Sequence, residues 1–294
     1  MKRDYLNKTI AAYLGFAVGD ALGATTEFMT PKEIAYEYGV HKKIIGGGWL
    51  NLKAGKVTDD TEMCICLADS IIESGGFNVN NSADYFVEWM RSKPVDIGAT
   101  VRRGLQQYIV SRKTSSYYSE SSAGNGACMR NLPIILYCMK EWQYFDIMTI
   151  SQCHITHNNR KSDLITILFG NILRSLMLHG DKSKAYSIVS EFIVKHPKLS
   201  YLNYKGESSG YIVDTFKNVM HHFFNNNSFY DTLIGVVNQG GDADTNGALA
   251  GMLSGALYGL EAIPAKWINK LDKKIYFKIR QQSETLYTLP AMII

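Results

Sequence analysis

Two short stretches concentrate oxygen-bearing side chains beyond what helix capping requires. One is GGDADTNGALAG, residues 240–251, where Asp242, Asp244 and Thr245 stand between glycines and a small, apolar run. The other is VTDDTEM, residues 57–63, where Thr58, Asp59 and Asp60 follow one another. Asp and Thr favour the first turn of a helix, and glycine admits unusual backbone angles, so a single such residue reads as a cap. Adjacent aspartates on a buried first turn repel one another unless something positive sits between them. The helix dipole supplies only about half a charge, whereas a divalent cation supplies two. Carboxylates, threonine hydroxyls and water suit Mg²⁺ or Mn²⁺, and Cys/His ligand spacing for zinc is missing. The two clusters are therefore expected to clamp a pair of hard cations about 3.5–4 Å apart. A calcium loop is the competing reading, since DADTNG fits the first six positions of an EF-hand. The twelfth position, which should be a bidentate Glu, is Leu253, and the run after DADTNG belongs in a buried helix.

The elements that must position these clusters read as helices almost throughout. Apolar residues recur at three- and four-residue spacing over roughly 9–23, 60–73, 82–91, 98–110, 126–139, 159–178, 184–195, 208–224, 229–237 and 244–260. Ile165, Leu168, Phe169, Ile172, Leu173 and Leu176 make a clear stripe. IVKHPKL and KKIIGG are expected to be short extended pieces. SRKTSSYYSESSAGNG, residues 111–126, is the longest polar loop, and long loops inside a domain are often functional. The expected architecture is all-α: a single compact multi-helix domain spanning 1–294 with a binuclear metal cleft.

Composition narrows the class. With 46% hydrophobic and 20% charged residues, 294 residues suffice for a sizeable core. The net charge of +4 is modest, and no nucleic-acid-binding motif accompanies it. The basic stretch KLDKKIYFKIRQQ reads as a solvated helix face. Five cysteines, with no C-x-x-C, read as reduced thiols of a cytoplasmic protein. No stretch approaches the length of a membrane span. The N-terminal apolar run resembles a signal peptide only weakly, because Lys8 delays it and Asp20 falls where the cleavage region would begin.

The motifs GFAVGDALGATTEF, VTDDTEM, PVDIGATVRRGL, GNGACMRNLPI, ITHNN and NQGGDADTNGALAGMLSGALYG occur together in one order over about residues 10–265. In that order and spacing the chain resembles the ADP-ribosylglycohydrolase family, of the dinitrogenase reductase-activating and ADP-ribosylarginine hydrolase type. The resemblance implies an all-α fold with two divalent cations, Mg²⁺ or Mn²⁺, and cleavage of the bond between ADP-ribose and a protein side chain. It also implies that the N-terminal segment is retained. Thr58, Asp59, Asp60, Asp242, Asp244 and Thr245 match the family's metal ligands. Glu27 matches an acidic residue near the metals, and Asp96 a catalytic or substrate-contacting aspartate. Ser122, Gly124 and Asn125 match the loop and helix start that hold diphosphate and ribose, and His157 a histidine near the nucleotide. One departure stands out: relatives often carry Asn three residues after the DIG aspartate, where this chain has Ala99.

Elementary chemistry supports those roles. Free N–H groups at a glycine-rich helix start attract a diphosphate. Ribose hydroxyls bound at the cations fix the anomeric carbon, and an activated water attacks as an oxocarbenium-like state forms. Asp96 or Glu27 orients that water or handles its proton. The expected partner is an ADP-ribosylated protein modified on arginine, with a cognate ADP-ribosyltransferase toxin as a candidate second partner; neither nucleic acid nor membrane is expected. The alternatives are a non-catalytic protein of the same fold that binds ADP-ribosylated proteins or occludes a toxin, and a hydrolase of serine- or acyl-linked ADP-ribose. Six metal ligands favour turnover over mere binding.

Overall fold

The small-residue runs near the two ends of the chain fold into two helices that touch along their backbones. They are α1, Lys2–Gly23, and α12, Ala243–Tyr258. Nearly every residue of α12 is buried, as expected of a helix that is apolar all round. Glycines four residues apart face each other across the contact. A Cβ on Gly19 would stand 1.9 Å from the Gly247 carbonyl oxygen, and one on Gly251 2.0 Å from that of Gly15. Only glycine permits this approach. The computed structural model describes residues 2–294, with side chains from Tyr5 onward.

Around this pair the chain adds α2 (Pro31–Tyr38), α3 (Asp59–Ser74), α4 (Val79–Arg91) and α5 (Ala99–Ser111). It continues with α6 (Leu132–Tyr137), α7 (Phe145–His154), α8 (Arg160–His179) and α9 (Lys182–Lys195). Then come α10 (Ile212–Asn225) and α11 (Phe229–Val237), and after α12 the short α13 (Ala265–Ile268) and α14 (Lys273–Thr288). Among the described residues the only sheet is a two-stranded ribbon, β1 (Gly46–Gly47) and β2 (Leu52–Lys53), antiparallel with Gly46 opposite Lys53. A single apolar cluster runs from Ile10 to Ala291, so the all-α expectation holds. No helix is long and apolar enough to cross a membrane.

Three expectations are corrected. The apolar run 126–139 is not one helix: residues 126–130 form turns, and α6 covers only Leu132–Tyr137. Pro133 lacks the N–H that would continue a helix from Met129, and the Met129 carbonyl accepts instead from the Cys64 thiol at 3.4 Å. IVKHPKL is helical, not extended: it holds the end of α9 and a 3₁₀ turn at Pro197–Leu199. KKIIGG is extended only at its two glycines. The basic C-terminal stretch is α14, whose Ile279, Gln282 and Leu286 are buried while Lys278 pairs with Asp69 on α3 at 2.8 Å.

Gly251→Ala is expected to cost roughly 3 kcal/mol or more, because backbone, not a flexible side chain, occupies the space. Gly75→Ala meets nothing and carries only the left-handed backbone penalty at φ 69°, about 1 kcal/mol. Denaturant unfolding of both variants checks this; equal losses would mean that the α1–α12 contact relaxes freely.

Candidate functional site

The two aspartate clusters meet in one cleft. Its floor is the start of α3 and the start of α12, and its cavity measures about 260 Å³. Asp59, Asp60, Asp96, Asp242, Asp244, Thr245 and Glu27 line it, opposite Gly124, Asn125, Gly126 and His157. Thr245 Oγ1 donates to Asp60 Oδ2 at 3.1 Å and so joins the clusters directly.

Each cluster is set by its backbone. The double glycine before Asp242 is left-handed at both residues, φ 64° and 60°, and each lies against a carbonyl: Gly240 against that of Met29, Gly241 against that of Ser208. Asp242 stands at the N-cap of α12, yet its side chain makes no capping bond. Its carboxylate instead accepts from the Asn125 amide. Thr58 does cap α3: its hydroxyl accepts from the Asp60 N–H at 3.4 Å and donates to Asp60 Oδ2 at 3.2 Å. The capping explanation therefore holds for Thr58 and fails for Asp242.

Asp20, inside α1, was not singled out from sequence as a site residue. Its buried carboxylate accepts from the Thr58 N–H at 3.0 Å, and from both the Thr61 N–H at 3.1 Å and the Thr61 hydroxyl. It fixes the first turn of α3, and with it Asp59 and Asp60. The signal was available: an acid within the otherwise apolar GFAVGDALG. Trp49 was missed as well. Its indole N–H donates to Glu27 Oε2 at 2.6 Å, a contact from the turn of the ribbon that no sequence spacing announces.

Two groups of carboxylates each bring one oxygen per residue within 4.8 Å of one another: Glu27, Asp242 and Asp244, and Asp59, Asp60 and Asp244. Asp244 belongs to both. Asp60 Oδ1 is buried without any hydrogen-bond partner, an arrangement that costs free energy unless something positive meets it. In the described ion pairs, no lysine or arginine joins these carboxylates. A hard, oxygen-only donor set with an orphaned oxygen fits divalent cations.

Without cations the site favours the protonated form of its acids. Burial pushes Asp59, Asp60 and Asp244 well above the carboxylate range, and neighbouring carboxylates push them further. Burial likewise raises Glu27 to about 8, against the opposing pull of the Trp49 hydrogen bond, and Asp20 to about 6. Asp242 and Asp96 are raised for the same first reason. Half-buried Asp96 lies close enough to Asp59 for the two carboxyls to influence each other.

The facing wall departs from expectation in detail. No helix starts at Gly124, and the Asn125 N–H is not free: it donates to the Gly210 carbonyl at 3.0 Å. Gly124 instead pairs with Tyr211 as an isolated bridge. Ser122 is 3% exposed, within the 3₁₀ turn Glu120–Ser122; Thr58 is fully buried at the N-cap of α3. His157 packs under the loop, where a Cβ on Gly126 would stand 2.8 Å from its ring. Burial, with Arg130 and Arg103 nearby, holds His157 down at about 3, so the ring is neutral. Arg130 donates to Thr156 Oγ1 at 2.8 Å, and that hydroxyl meets His157 Nδ1 at 2.8 Å. This chain leaves Nε2 turned to the glycines.

Comparison with known proteins follows the same line. The ADP-ribosylglycohydrolase family model matches residues 1–291. The ADP-ribosyl-[dinitrogen reductase] glycohydrolase of Rhodospirillum rubrum is 44% identical over 286 residues, 97% of either chain. ADP-ribosylarginine hydrolase Tri1 of Serratia proteamaculans is 32% identical over 90% of this chain and 75% of its own. A solved structure described as an ADP-ribosylglycohydrolase-related protein complex superposes with a TM-score of 0.85 at 28% identity, over 98% of this chain and 99% of the other.

The raised carboxylates set a pH dependence. Unfolded carboxyls ionise near about 4, whereas Glu27 in the fold ionises at about 8. Between those values the metal-free fold holds more protons than the unfolded chain, so its stability falls as pH rises. Cations displace those protons and relieve the repulsion. The rise in melting temperature produced by millimolar Mg²⁺ or Mn²⁺ is therefore expected to grow from pH 5 to pH 8. Thermal shift measured across that range checks it; a shift that shrinks with pH would contradict the site.

Proposed function

The chain belongs to the ADP-ribosylglycohydrolase family, and we propose that it hydrolyses the N-glycosidic bond between ADP-ribose and arginine on modified proteins, as one domain over residues 1–294. The observation that carries this reading is the shared carboxylate: Asp244 belongs to both acid groups, and Asp60 Oδ1 beside it has no partner. Two cations, Mg²⁺ or Mn²⁺, would be held by Asp59, Asp60, Asp242, Asp244 and Thr245, with Thr58 acting through the Asp60 oxygen it holds. Bound there, the cations supply positive charge for ribose hydroxyls and for activation of water.

The protein's own groups do the rest. Asn125 and the Ser208 carbonyl fix Asp242, the latter through its N–H at 2.6 Å. The Gly124–Gly126 turn lets the diphosphate approach closely, and neutral His157 offers Nε2–H beneath it. This is a different use of the loop from a helix-dipole site, since the Asn125 N–H is already bonded. Asp96 takes the proton of the attacking water at the rim of the cleft. Glu27, held by Trp49, orients the reacting end of the ribose and faces the departing guanidine. Ala99, which lines the cleft, offers that substrate no polar contact. The modified arginine is proposed to lie on an enzyme under reversible control or on the target of an ADP-ribosyltransferase toxin.

Release of ADP-ribose from arginine-, serine- and cysteine-linked substrates, with and without EDTA, tests the reading. Arginine-linked turnover that EDTA abolishes is expected; metal-independent turnover, or none, would refute it. Asp244→Ala should lower turnover by about a thousandfold or more, since both acid groups lose their common member. The metal-free variant is expected to melt no lower than the parent, because one member of a repelling cluster is gone. A cap would behave oppositely, with a loss of about 1 kcal/mol and normal turnover.

A further inference from the structure

Next to the cation cleft lies a larger surface groove of about 620 Å³ that the proposed reaction leaves unused. Glu27 and Phe28 line both spaces, so the groove adjoins the cleft across these two side chains. Its walls are aromatic and acidic. Phe28 is 66% exposed, Trp49 53% and Tyr36 95%, far more apolar ring surface than one small region usually leaves to water. Phe28 and Trp49 stand 5.1 Å apart between ring centroids with their planes at 55°, an open wedge. Apart from Glu27, which belongs to the cleft, two acids, Glu33 and Glu37, line the groove with a single lysine, Lys32. That balance runs against the chain's net charge of +4.

We infer that this groove docks the arginine-bearing segment of the modified protein, with the guanidinium on the Phe28–Trp49 wedge and the flanking chain across Tyr36 and Glu37. The inference rests on the proposed arginine-linked activity and adds to it the acceptor side of the substrate. The spatial argument comes from the cleft itself. With the nucleotide against Gly124, Gly126 and His157, the leaving group departs on the Glu27 side, where Glu27 and Phe28 border the groove as well. A planar, weakly hydrated cation suits aromatic faces. The acids complement a basic neighbourhood and would speed encounter with it. Trp49 couples the two spaces, because the indole that walls the groove also holds the Glu27 carboxylate.

The test compares two substrates on the full-length, metal-loaded protein: a basic protein ADP-ribosylated on arginine, and free ADP-ribosyl-arginine. Tyr36→Ala and Glu37→Lys change exposed positions of α2 that face the groove but not the cleft. The double variant is expected to raise KM for the modified protein by roughly tenfold at unchanged kcat. Its kcat and KM for free ADP-ribosyl-arginine should match the parent. An unchanged KM for the protein substrate would overturn the docking assignment. Parallel losses on both substrates would overturn it as well, because the effect would then lie in the cleft. A parent protein that releases ADP-ribose from neither substrate would refute the proposed activity itself, and the groove assignment with it.

Discussion

Backbone-to-backbone contact between α1 and α12 sets the position of the acids in the cleft. At ordinary helix separations of 8–10 Å, side chains would stand between the two helix ends. Here glycines replace them, and a Cβ on Gly23 would lie 2.1 Å from the Ala243 carbonyl oxygen, one residue before Asp244. The end of α1 thus lies against the start of α12. Asp20, one turn earlier on α1, reaches across to the backbone of Thr58 and Thr61 and fixes the start of α3. Two helix N-termini from distant parts of the chain are thereby referred to one helix, and their carboxylates converge.

Convergence of this kind has an electrostatic cost. Seven acids share one region, most of them buried, and the groups that meet them are mainly hydroxyls, amides and N–H donors. Like charges in a low dielectric keep their protons or attract cations. The fold accepts this strain at the site and offsets it with an extensive core, in which Arg130, fully buried, is held by Gln152 and Thr156 and packs on the Phe86 ring at 4.5 Å.

Much of this was legible in the amino-acid sequence, and the remainder follows a pattern. The T/D clusters were legible because their chemistry exceeds a local need, and helices such as α8 because their apolar period is strong. The short α2 was not: PKEIAYEY buries only Ile34, too little for a periodic signal. Its start was nonetheless written in a capping box, Thr30 with Glu33. The 126–139 run misled because apolar content does not reveal Pro133's missing donor. Asp20 and Trp49 act through contacts made only after folding, between residues 38 and 22 positions apart.

Phe28 carries a consequence of its own. It is a non-glycine residue in the left-handed region, φ 61°, where such residues are uncommon. Its N–H donates to the Gly241 carbonyl at 2.6 Å, and the Gly241 N–H donates to the Met29 carbonyl at 2.9 Å. The aromatic that faces the groove is thus bolted to the glycine pair that leads into Asp242. Mechanically the two are one block: this ring's seat cannot be reshaped without disturbing the loop that carries Asp242. The exposed face of α2, which caps and folds on its own local signals, carries no such burden. A substitution on that exposed face therefore alters the groove while the ring and the double glycine keep their places.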